Sequence, residues 1–237
     1  MMKKIGNPFE GMKLHEYLIL IPSILLVVVA FFIVPEKDYL SSSTAILGIV
    51  MVIFVAKAHV FGQFLALIDA ILYAVVAYIY HYYGELIICI CLYMPIAIMA
   101  IVSWAKNKYK ETEEVKVEKL GIPGILGIAL VIIGAAIASF FVLRALNTPN
   151  LIVSVASVSV SAAGGYLIIK RSPYYALLYM INDIVLAVLW GLAAKDAHQY
   201  WPLAISFIGY FASDTYGFIN WFRLRNKQHK DLEENNI

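Results

Sequence analysis

The chain reads as an all-α membrane protein with eight transmembrane helices, and three observations point there. Apolar residues fill 62% of 237 positions, charged residues only 14%, and the apolar residues gather in runs of about helix length. A soluble domain could not keep such a surface wetted, so lipid must solvate most of the exterior. Hydrocarbon offers the backbone no hydrogen-bond partner, which leaves helices and closed barrels as spanning structures. The runs do not alternate in polarity, so helices follow.

Bounded by charge, proline and aromatic anchors, the spans are expected near 18–34, 42–56, 61–80, 85–104, 123–143, 150–169, 174–194 and 201–222. Lys3 and Lys4 precede the first as in a signal sequence, but that run ends at Val34-Pro35-Glu36-Lys37 without a small-x-small cleavage site, so the segment is expected to stay. The second span is short at the end where Lys57 can snorkel. Pro95 interrupts the fourth and is expected to kink it. Cys89 and Cys91 do not share a helix face and read as packing. Gly127 and Gly134 in the fifth span, with Ser154, Ser157, Ser161 and Gly165 in the sixth, have the small-residue spacing of closely packed helices. The run Lys106 to Lys119, with four interspersed glutamates, reads as a solvated connection.

The positions of the basic residues set the expected orientation. One side carries Lys3, Lys4, Lys13, Lys57, Lys106, Lys108, Lys110, Lys116, Lys119, Lys170, Arg171, Arg223, Arg225, Lys227 and Lys230; the other carries Lys37, Arg144 and Lys195. Fifteen against three is the asymmetry the positive-inside rule demands when both termini are cytoplasmic, and a seven-span reading would destroy it. The net charge of +2 is too small and dispersed for nucleic-acid binding.

An internal repeat orders the spans. Ile68-Asp69-Ala70-Ile71-Leu72-Tyr73-Ala74-Val75 in the third matches Ile181-Asn182-Asp183-Ile184-Val185-Leu186-Ala187-Val188 in the seventh at an offset of 113 residues, and Lys57 and Lys170 keep that offset. Ala100 and Trp104 answer Gly217 and Trp221 at 117. Spans two to four and six to eight thus look like two copies of a three-helix unit, with the fifth as a linker that restores parallel orientation. The expected parts are residues 1–41 with an extra N-terminal helix, a first bundle over 42–104, a loop and linker helix over 105–149, a second bundle over 150–222 and a cytoplasmic tail over 223–237.

Polar groups deep in hydrocarbon are the strongest functional pointers, because a central ionised aspartate costs about 2.5 to 3.5 kcal/mol. Asp69, Asn182, Asp183 and Asp214 sit mid-span. Asp69 and Asn182 occupy equivalent repeat positions, so a two-fold axis brings them to similar depth on opposite bundles. At 3.6 residues per turn Tyr175, Tyr179, Asn182 and Leu186 form one stripe, with Asp183 about 100° round; one of Asn182 and Asp183 is expected to face the pore and the other a neighbouring helix. Tyr210, Ser213, Asp214 and Gly217 share a face of the eighth span. The functional reading is that aromatic rings stack on a ligand ring while Asn182, Asp69 and Ser213 hydrogen-bond its polar groups. The competing reading is that these groups bond to one another and hold the bundles together.

These residues resemble the PnuC-type vitamin transporters, a family related in architecture to SWEET sugar facilitators. The resemblance rests on Val55-Ala56-Lys57, Ile68-Asp69-Ala70-Ile71-Leu72-Tyr73, Tyr83-Gly84-Glu85, Leu92-Tyr93-Met94-Pro95 with Trp104, Tyr166-Leu167, Asn182, and Tyr216-Gly217-Phe218 with Trp221, spanning about 42–222. It implies a facilitator whose best-known substrate is nicotinamide riboside, with relatives carrying thiamine, riboflavin or deoxynucleosides, and uptake driven by a cytoplasmic kinase acting on the substrate. The chain departs from the family where W-x-x-W-x-x-x-N of the seventh span becomes Tyr175, Leu178 and Asn182, and where the glutamine after the fourth-span proline is Ala97. With Tyr73 and Tyr216 from the matching motifs, the candidate substrate site comprises Asp69, Tyr73, Tyr175, Tyr179, Asn182, Asp183, Ser213, Asp214 and Tyr216. The expected partners are a small vitamin or nucleoside, the lipid bilayer and that kinase; a homo-oligomer is compatible with the composition, and no cofactor or metal is expected.

Other classes are less well supported. An intramembrane enzyme needs a nucleophile with its base, paired catalytic carboxylates or a metal cluster within the bilayer, and no such set is expected: His15, His59, His81, His198 and His229 all fall at or near span ends or in tails. H-E-x-x-H, C-x-x-C, G-x-S-x-G and Walker motifs are missing from the sequence. A proton-coupled porter using Asp69, Asp183 or Asp214 stays open, as does a non-transporting membrane receptor.

Overall fold

The structure, a computed structural model, describes residues 9, 12–35, 37–79, 83–110, 112–148 and 150–234. Lys3, Lys4 and His81 lie outside them. Among the described residues the long helices are α1 (Leu14–Ile33), α2 (Tyr39–Ala56), α3 (Phe61–Ile79), α4 (Tyr83–Lys106), α5 (Ile122–Ala145), α6 (Leu151–Ile169), α7 (Tyr174–Asp196) and α8 (Trp201–Glu234). The first seven are long and apolar enough to cross a membrane. α8 has the length, but its first half carries Ser206, Ser213, Asp214 and Thr215 among its apolar residues.

Local chemistry sets the helix ends. Asp38 caps α2 by accepting the Ser41 N–H at 3.0 Å, and Glu16 reaches back at 2.7 Å to the Lys13 N–H ahead of α1. α2 and α6 end alike. Lys57 and Lys170 cap them, and the next residues, Ala58 and Arg171, take left-handed φ of 57° and 56°. For residues bearing a Cβ that conformation costs roughly 1–2 kcal/mol. It reverses the chain into α3 and α7, and the same pair of backbone bonds holds it each time: Ala58 N–H to Val55 O at 2.9 Å and His59 N–H to Phe54 O at 3.1 Å, against Arg171 N–H to Ile168 O at 2.9 Å and Ser172 N–H to Leu167 O at 3.0 Å.

Pro95 leaves a defined mark on α4. Having no N–H, it cannot bond the turn before it, and the helix widens into a π turn over Cys89–Tyr93 in which the Met94 N–H reaches Cys89 O. In α1, Pro22 is tolerated beside Ser23, whose hydroxyl donates to Ile19 O at 2.7 Å.

α2 packs on α3, α3 on α4 and α4 on α6; in the same order α6 packs on α7, α7 on α8 and α8 on α2. α1 lies against α8 and α2, and α5 against α6. α5 buries little besides Ser139 and Leu143 and turns Ile125, Leu126, Leu130, Ile133 and Ile137 outward, as a helix solvated by hydrocarbon does. The core beside the Lys57 and Lys170 turns holds Trp104, Trp221 and Tyr175, all fully buried. Trp104 Nε1 donates to Ile168 O at 2.9 Å, and Trp221 Nε1 donates to Val55 O at 3.0 Å.

The α4–α5 connection departs from its expected solvated character. Val115 is fully buried and Val117 nearly so. Val115 N–H donates to Ala58 O at 2.9 Å and Glu118 N–H to Arg171 O at 3.0 Å, so the loop bonds both left-handed turns. The last expected span is also longer than expected: α8 continues as helix to Glu234, where a tail was expected, and Gln228 brackets the loop by accepting from Val117 N–H at 2.9 Å and donating to Val115 O at 3.1 Å. Tyr109 Oη and Lys110 Nζ donate to Asp231 at 2.6 and 3.1 Å. Counting charges hid this; Val115-Lys116-Val117 alternates apolar and polar residues as an extended, half-buried segment does.

Candidate substrate cavity

Helices α2–α4 and α6–α8 border a cavity of about 220 Å³. Its wall takes Gln63, Asp69 and Tyr73 from α3, Glu85 and Tyr93 from α4, Ser161 from α6, Tyr175, Tyr179, Asn182, Asp183 and Trp190 from α7, and Phe207, Tyr210 and Asp214 from α8. Seven of the nine sequence candidates therefore meet in one place. The stripe Tyr175, Tyr179, Asn182 and Leu186 lines it throughout, and Asp69 joins from the other triplet.

Four expectations need correcting. Asn182 and Asp183 do not divide between pore and packing, since both reach the wall, where Asp183 stands beside Asp214. Ser161, expected to serve packing alone, also lines the cavity, and Ser157 donates to Asn182 Oδ1 at 2.9 Å. Tyr216 is not on the wall. Two residues beyond Asp214 puts it about 200° round α8, and its hydroxyl donates to Glu16 Oε1 at 2.7 Å, where Lys57 Nζ also binds Glu16 at 3.1 Å. Ser213, 100° from Asp214, is fully buried off the wall with its hydroxyl unpartnered.

Close helix approach positions the aromatic groups. A Cβ at Gly48 of α2 would stand 2.1 Å from Tyr210 Oη, so glycine is what lets that ring cross to Ala45 O, to which it donates at 3.2 Å. Gly164 of α6 likewise leaves room for the Tyr179 ring, 3.0 Å from where its Cβ would be. Tyr175 stacks edgewise on Trp221 at 4.9 Å.

The polar groups are only partly used by the protein itself. Ser157 occupies Asn182 Oδ1 and so fixes the carboxamide, whose remaining capacity is its two N–H donors. Asp69 Oδ1, Asp183 Oδ2 and Tyr175 Oη are buried without a hydrogen-bond partner. Tyr73 Oη donates to Glu85 Oε2 at 3.4 Å, a long contact. Unsatisfied acceptors cost free energy in a low-dielectric interior, and a ligand with donors or positive charge relieves that cost. Sequence reasoning left out Gln63, Glu85, Tyr93 and Trp190 as site residues.

A mostly apolar, aromatic-walled cavity with a few placed polar groups, set among helices long and apolar enough to cross a membrane, has the character of a small-solute binding site in a membrane transporter. The family model for nicotinamide mononucleotide transporters matches residues 38–223, and the chain belongs to that family. It is similar to the nicotinamide riboside transporter PnuC of Neisseria mucosa, 29% identical over 199 residues that cover 81% of this chain and 75% of that protein. It is also similar to a crystal structure of the vitamin B3 transporter PnuC, with a TM-score of 0.79 and 26% identity over 93% of this chain and 95% of that one.

Proposed function

We propose that this chain carries nicotinamide riboside across the membrane by facilitated diffusion, binding it in the cavity between the triplets. The observation that carries the reading is the shared cavity itself: Asn182, held by Ser157, and Asp69 on the facing triplet lie in one wall with Tyr175 and Tyr179. Tyrosine rings suit a flat heteroaromatic ring, and the amide and carboxylates suit ribose hydroxyls. The name of the Neisseria mucosa relative, a nicotinamide riboside transporter, supports the same substrate. Asp69, Tyr73, Tyr175, Tyr179, Asn182, Asp183 and Asp214 form the binding set.

The reading extends to architecture. Eight spans cross the bilayer, α2–α4 and α6–α8 are two like-oriented bundles joined by α5, and both termini lie in the cytoplasm. Fifteen basic residues on one side support that orientation. The repeated turns at Ala58 and Arg171 and the reciprocal tryptophan bonds support the duplication. A cytoplasmic kinase then traps the solute, since a facilitator equilibrates without concentrating.

A binding screen of nicotinamide riboside, thiamine, riboflavin and deoxynucleosides on purified protein tests the substrate. The expected result is tightest binding of nicotinamide riboside; tighter binding of any other compound overturns it. The pairing of Asp183 and Asp214 on the cavity wall favours a second reading, proton coupling, because neighbouring carboxyl groups within a membrane interior suit a proton relay. Counterflow in proteoliposomes separates the two: a facilitator gives the same accumulation with and without a pH gradient, a porter does not.

A further inference from the structure

We propose that the cavity selects its solute by charge, admitting organic cations over neutral or anionic analogues of the same size, with Glu85 and Asp69 as specificity-determining residues on the first triplet facing Asp183 and Asp214 on the second. This rests on the transport reading above and names the property by which the site chooses.

The distribution of charge carries the inference. Four carboxyl groups line the cavity, two from each triplet, and no lysine, arginine or histidine does so among the described residues. The bases nearest the cavity's end of the bundle are engaged elsewhere: Lys57 by Glu16 at 3.1 Å, and Arg171 by Glu118 at 3.0 Å. The protein therefore supplies no counter-charge of its own. Asp183, nine-tenths buried and more, lines the cavity with Oδ2 unpartnered, and Asp69 Oδ1 is unpartnered too. In a water-poor site an uncompensated carboxylate is costly, and a solute bearing a fixed positive charge offsets that cost where a neutral isostere cannot and a phosphate adds to it.

The rest of the wall says which kind of cation. No cluster of three or more metal-ligating side chains occurs among the described residues, which disfavours a bare metal ion. Tyr73, Tyr179 and Tyr210 instead offer ring faces and edges beside the carboxylates. Aromatic faces with dispersed negative charge suit a delocalised ring cation. A pyridinium or thiazolium nucleus has that chemistry.

The test is competition on the wild-type protein with compounds matched in size. Nicotinamide riboside carries a fixed pyridinium charge; its dihydro form is neutral at nearly the same shape; nicotinamide mononucleotide adds a phosphate. Thiamine is a cation on a different ring system, and riboflavin is neutral. The oxidised riboside is expected to bind at least about tenfold tighter than the dihydro form, with the mononucleotide weaker still. In the Asp69→Asn, Glu85→Gln double variant that preference should shrink severalfold through loss of the cation's affinity, with cooperative thermal unfolding in detergent serving as the control for folding. Equal or tighter binding of the neutral form by the wild-type protein overturns the proposal, as does failure of every cation to bind. Should thiamine bind and no nicotinamide compound do so, the substrate reading fails while charge selection stands.

Discussion

Trp104 and Trp221 make crosswise bonds between α2–α4 and α6–α8. The indole of α4 bonds Ile168 O at the end of α6, the indole of α8 bonds Val55 O at the end of α2, and the two rings meet at 5.3 Å. Their neighbours repeat the exchange, Ser103 Oγ donating to Ile169 O at 2.7 Å and Asn220 Nδ2 to Ala56 O at 3.0 Å. Both tryptophans are fully buried, and each carbonyl also accepts a turn N–H, from Arg171 at Ile168 O and from Ala58 at Val55 O, so removing an indole takes one of two bonds from that carbonyl and leaves a void where the larger ring stood. Trp104→Phe and Trp221→Phe are each expected to cost about 1–3 kcal/mol, visible as a lowered melting temperature in detergent. Because the rings touch, the double variant should depart from additivity. A cost confined to one of the two would contradict an equivalent role.

Gly48→Ala is expected to weaken substrate binding with little loss of fold. The new methyl would displace the Tyr210 ring and break its bond to Ala45 O. A drop of about tenfold in affinity by calorimetry, at a melting temperature within a few degrees of wild type, is the anticipated result. Undiminished affinity would place Tyr210 outside the binding wall.

The α4–α5 loop should come loose when its clamp is cut. Gln228→Ala removes both bonds that bracket Val115 and Val117. Limited proteolysis within 107–120 is expected to accelerate severalfold, since local opening then has fewer hydrogen bonds to break. Cleavage at the wild-type rate would show that the buried valines suffice alone.

Acid should destabilise the protein through His59, which lies in the turn between α2 and α3. Burial holds this imidazole below the ordinary histidine value, with Lys57 and Lys108 reinforcing burial and Glu113 opposing it. Its Nδ1 accepts the Phe61 N–H at 3.1 Å and must be unprotonated to do so. The unfolded chain takes up this proton first, near the free-histidine value of about 6.5. The stabilising contribution is therefore whole above about pH 6.5 and declines as the pH falls from there through the lowered native value. Melting temperatures near neutrality and about two pH units lower should differ less for His59→Asn than for wild type; an identical difference would remove His59 from the acid response.

The sequence made the fold legible because hydrocarbon leaves the chain few choices: run length, bounding charge and the 113-residue offset placed the helices within a few residues, except at the end of α8. Within the site, helical periodicity was reliable where a helix is regular, as for Tyr175, Tyr179 and Asn182. It was not applied to Tyr93, which entered only as part of a motif although it stands one turn before Ala97 on the same wall. Glu85 was missed for a different reason. Standing at a span boundary, it reads as an interfacial charge, and only the fold brings it to Tyr73. Tyr216 entered by motif, although the same periodicity applied to Asp214 argues against it. Burial of the loop at Val115 needed the α8 extension, which run-length reasoning ends at 222.

The claim that the cavity is where the solute binds and passes is tested most directly at Asn182, which lines the wall with its Oδ1 accepting from Ser157 at 2.9 Å. Counterflow of labelled nicotinamide riboside in proteoliposomes, with Asn182→Ala reconstituted to the same density as wild type, is the measurement. Exchange reduced by about tenfold or more is the expected result, the loss of one or two buried hydrogen bonds to the ligand. Exchange at the wild-type rate would contradict it.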